Sequence, residues 1–199
     1  DVVIIGAGFA GAATAYHLAQ RGVRDICIVE HEPRPGVHAS GRNAHLSFQS
    51  IVDGPKSWLA AEGARFIADP PEGFTDAPLL RQTGSLLVAS ERGLTSIESA
   101  QQISERLGLG GAILPVADAV ARVPALDGAP IAHAFWNPHD GVVDIQRFLA
   151  CYLDAACRLG ARIHYNCTVT GVQSSGGRVT AVETSTGCLL YTSDAADEK

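Results

Sequence analysis

The chain has 199 residues, a net charge of −6 and 46% hydrophobic residues, a profile that supports a folded core. Mild acidity without a basic cluster excludes a nucleic-acid binder. No apolar run approaches the roughly 20 residues a membrane-spanning helix needs.

Residues 1–5 (DVVII) form a β-branched run that is apolar on both faces, which predicts a buried parallel strand. No signal peptide is expected before a strand that starts this early. Gly6-Ala7-Gly8-Phe9-Ala10-Gly11 follows without a spacer. Residues 12–21 carry helix formers, and Gly22 stops the helix. Residues 25–29 read as a second strand, which leads into Glu30 and His31.

Each part of this opening has a task in gripping a dinucleotide. Gly6 permits a tight turn, Gly8 lets a pyrophosphate approach the backbone, and Gly11 lets helix and strand pack closely. The helix N-terminus offers N–H groups and its positive dipole end to phosphates. Glu30, nineteen residues after Gly11, can accept both hydroxyls of an adenosine ribose, and its charge disfavours the 2′-phosphate of NADP. The flanking strand and helix separate this GxGxxG from a plain glycine-rich turn.

Residues 31–36 form a proline-broken loop, and residues 38–45 are mostly small and able to lie close to a ligand. Helices are predicted over 56–68, 91–107 and 116–123, with strands over 84–89, 112–114 and 131–136. Residues 137–141 read as a turn. Asp144 caps a helix whose apolar positions include Phe148, Leu149, Tyr152, Leu153 and Leu159, and which Gly160 ends. Residues 161–165 restore the strand–helix–strand pattern, and 174–177 (SSGG) turn a hairpin between 168–172 and 178–184. The expected domains are a discontinuous dinucleotide domain (1–46 and 140–187) and a cap or substrate domain (47–139) with a mixed sheet and helices. Residues 188–199 break the preceding patterns and resemble a translated sequencing adaptor of the kind that ends environmental reads. They are left out of the fold assignment, and the chain is expected to be part of a longer enzyme.

The five cysteines (Cys27, Cys151, Cys157, Cys167 and Cys188) show no CxxC spacing. They read as small buried hydrophobes in a reducing cytoplasm. His38, His133 and His139 look scattered, and no metal site is expected. Trp58 and Trp136 read as core, and Asp140 and Asp144 as turn and cap residues.

Five stretches occur in a characteristic order: the opening fingerprint extended by Ala15 and Gly22, the 38–45 loop, Gly84-Ser-Leu-Leu-Val, Asp140-Gly-Val-Val-Asp144 and Asn166-Cys-Thr-Val-Thr-Gly171. Together they resemble the FAD-dependent D-amino-acid oxidase, sarcosine oxidase and glycine oxidase superfamily. Residues 70–80 look most similar to its D-arginine dehydrogenase-like members. The extended fingerprint looks like the FAD form rather than the NAD form. The resemblance implies an α/β fold, with a Rossmann-like FAD-binding domain interleaved with a mixed α+β substrate domain. It also implies FAD as cofactor and oxidation of the C–N bond of an amine or amino acid. In that reaction hydride passes to flavin N5 and the imine product hydrolyses.

By the same resemblance, Ser40, Arg42, Asn43, Ala44 and His45 run beside the FAD toward its isoalloxazine, and Val169 meets the adenine through its backbone. His45 is the candidate amine-proton acceptor or orienter; a surface or supporting role is the alternative. Arg42 contacts phosphate or flavin, or ties down the loop. The electron acceptor is oxygen or another molecule. The arginine that clamps the substrate carboxylate and the last flavin contact fall in the family's C-terminal half, so the isolated chain is expected to be inactive. The alternatives are an FAD- or NAD-dependent oxidoreductase with another substrate, or a truncated product with no activity.

Overall fold

The computed structural model describes residues 2–50 and 55–190. In chain order the elements are β1 (Val2–Ile5), α1 (Phe9–Gln20), β2 (Ile26–Val29), β3 (Leu46–Ser47) and α2 (Pro55–Ala68). Then come β4 (Leu80–Gln82), β5 (Ser85–Ala89), α3 (Leu94–Leu107), β6 (Ala112–Leu114) and α4 (Val116–Arg122). The last are β7 (His133–Asn137), β8 (Gly141–Val143), α5 (Ile145–Arg158), β9 (Arg162–His164), β10 (Val169–Ser175), β11 (Arg178–Thr184) and β12 (Gly187–Leu190). Two compact units result. One takes the chain up to Asn43 and again from Ile145, and the other is Ala44–Asp144.

The first unit is built on a parallel sheet ordered β1-β2-β9. All four residues of the central strand β2 are buried, as its unbroken apolar run requires of a strand covered on both faces. Helix α1 buries Ala12, Ala15, Tyr16 and Ala19, and it packs on α5, which buries Phe148, Leu149, Tyr152 and Leu153. Ring contacts tie the two helices at two points, Phe9 to Phe148 at 5.3 Å and Tyr16 to Tyr152 at 5.6 Å between centroids. Each buried large side chain contributes about 2 kcal/mol. Burial also pushes the Tyr152 hydroxyl up to about 12. The hairpin of β10 and β11 turns through Gly176 and Gly177, both at positive φ, and β12 pairs antiparallel on the far edge of β11. Residues 188–190, which the sequence pattern had set aside with the tail, therefore belong to a strand; residues 191–199 lie outside the described residues.

Helix α1 starts three residues earlier than its helix formers predict. Gly8, in extended conformation, is the N-cap, so the glycine turn passes directly into the helix. Leu159, expected on the buried side of α5, lies past its end and is exposed.

The second unit contains two three-stranded sheets, β3-β8-β4 and β5-β7-β6, in which every pair is antiparallel. The expected mixed sheet is thus corrected. All five residues of β5 are half-buried, without the alternation of a strand that has one covered and one wet face. Helix α3 covers one of these sheets, placing Ile97 and Ala100 on Phe135 with Leu87 and Ala89 alongside.

Several single-residue expectations also change. Trp58 is 56% exposed, because α2 turns its small residues Ser57, Ala61 and Ala64 inward instead. Trp136 is half-buried, with the Arg122 guanidinium 4.7 Å from its ring centre. Cys27 and Cys167 are buried, but Cys151 is half-buried and Cys157 exposed.

Asp140 is more than a turn residue. It is fully buried, and its carboxylate accepts hydrogen bonds from the Ser85 hydroxyl (2.6 Å), the Gln49 backbone N–H (3.2 Å) and the Gln49 side-chain amide (3.1 Å). Burial pushes its carboxyl above the usual aspartate range, and the bonds from Ser85 and Gln49 pull only partly against that. Asp140→Ala is expected to lower the unfolding free energy of the second unit by about 3 kcal/mol, since it strands two buried donors of Gln49 and the half-buried Ser85 hydroxyl. Ser85→Ala removes one donor and leaves the carboxylate two others, so about 1 kcal/mol is expected. Urea unfolding of the two variants checks the ranking.

Candidate dinucleotide site

The site begins at the end of β1. Gly6 sits at φ +99°, a conformation that L side chains rarely adopt, and its N–H donates to the Val29 carbonyl at 2.7 Å. The chain then doubles back so tightly that a Cβ on Gly11 would collide with the Gly6 carbonyl oxygen and lie 3.1 Å from Ile4 Cγ2. The glycine at position 11 is therefore a demand of packing. Gly8 caps α1 without a side chain, and the first turn of the helix carries no acid. That end suits an anion on electrostatic grounds.

At the end of β2 the Glu30 side chain turns toward this bend. Its Oε2 accepts the Ala7 N–H at 2.8 Å, and its Oε1 accepts the Glu32 N–H at 2.9 Å. The strand end is held as well: Glu30 N–H donates to the His164 carbonyl at 2.8 Å, and Cys167 N–H to the Glu30 carbonyl at 2.9 Å. Glu30 is only 7% exposed. Burial by itself would raise its pKa, but the N–H donors of Glu32 and Ala7, with His31 beside them, outweigh burial and hold the carboxyl below the usual glutamate range. The residue is an ionised acceptor at neutral pH, placed at the mouth of the turn.

Ser40 is the third element of the site. Its hydroxyl accepts the Phe9 N–H at 3.1 Å and lies 2.8 Å from where a Cβ on Gly8 would stand. The loop that carries Ser40 is compact: Gly41 N–H donates to the His38 carbonyl at 3.0 Å, and Asn43 donates its side-chain amide to the Ser40 carbonyl at 2.9 Å. Ala7, Gly8, Phe9, Glu30 and Ser40 thus converge at one place. Ala10 is exposed on α1, and Arg42 is exposed in the loop. Val169 is half-buried against Cys27, Val29 and Cys167, beside the same sheet.

Ala44 and His45 fall in the second unit. His45 is half-buried at φ +56°, and its carbonyl accepts the Val143 N–H at 2.7 Å beside β8. His139, expected to be isolated, lines a cleft of about 250 Å³ within this unit, together with Gln49, Arg65, Gln82 and Leu109. Its Nδ1 is 3.3 Å from the Gln82 amide.

The expectation that His38 is scattered is also corrected. His38 and His31 stack, with ring centres 5.5 Å apart and planes 13° from parallel, and both rings contact Glu32. Loop closure over six residues brings them together. The sequence places these three residues within eight positions around two prolines but carries no signal that they meet.

An FAD molecule would find the features it needs here: a tight glycine bend, a helix N-terminus free of acids in its first turn and an ionised carboxylate beside them. The sequence pattern of the family described as "FAD dependent oxidoreductase" matches residues 1–195. Human mitochondrial sarcosine dehydrogenase is 28% identical over 196 residues, covering 95% of this chain and 21% of that protein. D-amino acid dehydrogenase of Vibrio cholerae is 23% identical and is covered over 58% of its length. Among solved structures, glycine oxidase from Bacillus cereus superposes with a TM-score of 0.78 at 26% identity, over 96% of this chain and 52% of that one. L-proline dehydrogenase from P. horikoshii superposes with a TM-score of 0.81 at 23% identity, and half of its chain is covered. The chain spans between about a fifth and somewhat over half the length of these proteins. No helix among the described residues is long and apolar enough to cross a membrane.

Proposed function

This chain belongs to the FAD dependent oxidoreductase family, and from that premise we propose that it binds FAD for an enzyme that oxidises the C–N bond of an amine or amino acid. The observation that carries the reading is the Glu30 carboxylate bonded to the Ala7 N–H at 2.8 Å, since it joins the glycine bend and the acid into one site. Gly6 to Gly11 take the diphosphate, with Ala7, Phe9 and Ala10 supplying backbone. Glu30 accepts the ribose hydroxyls beside His31, and Val169 faces the adenine. Ser40, Arg42, Asn43 and Ala44 lie along the cofactor toward its redox ring. Bound FAD supplies the hydride acceptor.

The protein's share is then to orient the substrate and handle one proton. The α-carbon loses hydride, the amine nitrogen loses a proton, and the resulting imine is hydrolysed by water. We assign the proton to His45. Residues 47–139 form the substrate side of the protein, and residues 1–46 with 140–187 the cofactor side. Relatives that act on sarcosine, glycine, proline or D-amino acids by name support an amino-acid substrate.

The test is anaerobic mixing of the flavin-loaded full-length protein with sarcosine, glycine, proline and a panel of D-amino acids. Bleaching of the flavin band by at least one of them is expected, and its persistence with all of them would overturn the substrate class. His45→Ala is expected to slow that bleaching by about a hundredfold while leaving flavin content unchanged. An unchanged rate would remove His45 from the reaction.

A further inference from the structure

We propose that His31, Glu32 and His38 form a binding site for a divalent transition-metal ion of the zinc type. His31 Nε2 and His38 Nε2 each lie 2.9 Å from the same oxygen, Glu32 Oε1. The three candidate ligand atoms fall within 4.8 Å of one another. Bonds of zinc length in a tetrahedral site place neighbouring donor atoms about 3.4 Å apart, so small side-chain rotations suffice to close the set around an ion. Imidazole lone pairs lie in the ring planes, so the two nearly parallel rings must tilt toward each other for both Nε2 atoms to reach one ion, which their exposure allows.

The contacts behind these ligands are those a metal site needs. His31 Nδ1 is 3.2 Å from Glu30 Oε1, and Glu30 is buried and also held by the Ala7 N–H. A carboxylate can only accept there, so with an ion bound Nδ1 would keep the proton and Nε2 would give its lone pair to the ion in place of its present contact with Glu32. This is the carboxylate–histidine–metal arrangement. Glu32 is fixed through its backbone, its N–H donating to Glu30 Oε1 at 2.9 Å and its carbonyl accepting the Asn166 N–H at 3.1 Å. His38 is fixed by the loop closure at Gly41.

Two imidazoles and one carboxylate select zinc, cobalt, nickel or copper over calcium and magnesium, which prefer oxygen ligands throughout. Three protein ligands leave a fourth position for water. Both histidines are exposed, so the ion can enter directly from solvent. His31 and Glu30 also belong to the proposed ribose site, but the inference rests on side-chain geometry and is read out by metal binding alone.

The experiment is calorimetric titration of the chelator-treated chain with Zn²⁺, with Co²⁺ as a spectroscopic probe and Ca²⁺ as control. One Zn²⁺ per chain is expected, with Co²⁺ giving the intense visible band of four-coordinate nitrogen–oxygen ligation and Ca²⁺ giving no heat. His38→Gln and Glu32→Gln are each expected to weaken Zn²⁺ binding at least tenfold. Alkylating the exposed Cys157 beforehand should leave the affinity unchanged. Absence of stoichiometric Zn²⁺ binding, or affinity unaltered in the His38→Gln/Glu32→Gln double variant, would overturn the proposal. Both variants replace partly or fully exposed side chains, and circular dichroism confirms that each is folded before titration.

Discussion

Replacing Gly11 with valine is expected to leave the protein without bound FAD and to destabilise the first unit by about 3 kcal/mol or more. A Cβ at this position meets the Gly6 carbonyl oxygen, with the Gly6 carbonyl carbon at 3.2 Å and Ile4 Cγ2 at 3.1 Å. Two of these atoms are backbone and cannot rotate away, so the helix must back off from the strand or the bend must open. Either movement separates the Ala7 N–H from Glu30 and displaces the N-terminus of α1, where the diphosphate is proposed to sit. Even alanine supplies the offending Cβ, and valine adds two methyl groups. The contrast is Gly63, in the middle of α2, where a Cβ would meet no heavy atom within 4 Å. Gly63→Ala is expected to stabilise the protein by up to about 1 kcal/mol through helix propensity and to leave flavin content unchanged. Thermal melts and the flavin absorbance of both purified variants, side by side, separate a local packing demand from general sensitivity to added bulk.

Substituting Glu30 has the second large effect, and it has two readouts. Glu30→Ala removes the acceptor of the Ala7 and Glu32 N–H groups together. Hydrogen bonds to an ionised group contribute about 2 kcal/mol, so a clear loss of stability is expected. A drop in FAD affinity of at least tenfold is expected with it, because the ribose loses its acceptor. Glu30→Gln keeps one oxygen and replaces the other with a donor facing an N–H, so its effects fall between those of alanine and the native residue. The pH dependence follows from the lowered pKa of Glu30. A carboxyl that is more acidic when folded than when unfolded stabilises the protein above its unfolded pKa, near 4.3 for glutamate. That stabilisation is lost as pH falls through the folded value. Native protein is therefore expected to lose stability more steeply than Glu30→Gln below about pH 4.5. Parallel acid-unfolding curves for the two proteins would contradict this assignment.

The parts of this structure that could be read from the sequence are those whose determinants are close together in the chain. The strand, glycine bend, helix and second strand of residues 2–29 follow one another without interruption, and the glycine spacing fixes their geometry. The 174–177 turn and the amphipathic face of α5 were legible for the same reason. The strands that escaped prediction are short and depend on distant partners. Gly141–Val143 pairs with Leu46–Ser47 on one side and Leu80–Gln82 on the other, so none of the three carries a signal within its own few residues. Their pairing also explains Asp140, which sits just before β8 and is drawn into the interior with Ser85 and Gln49. A turn-like local sequence gave no hint of that burial.

In the site, Gly6 and Gly11 were legible because a positive φ and a close backbone approach select glycine there, and Glu30 because its spacing from the bend is local in the chain. The meeting of His31, Glu32 and His38 was not, since it depends on how a loop with two prolines closes. Trp58 shows the opposite error. Its size suggested core, yet α2 makes its inward contacts with Ala61 and Ala64 and leaves the indole to water. Side-chain size gave the wrong face where helical phase decided.

The central claim is that the bend from Gly6 to Gly11 and the carboxylate of Glu30 together hold the adenosine diphosphate portion of FAD. Equilibrium titration of the purified chain with FAD, followed by quenching of flavin fluorescence, tests it most directly, with ADP and the 2′-phosphate-bearing NADP⁺ as competitors. Saturable one-to-one binding that ADP displaces and NADP⁺ does not is the expected result. Binding that is absent, or that survives unchanged in Glu30→Ala and Gly11→Val, would contradict it.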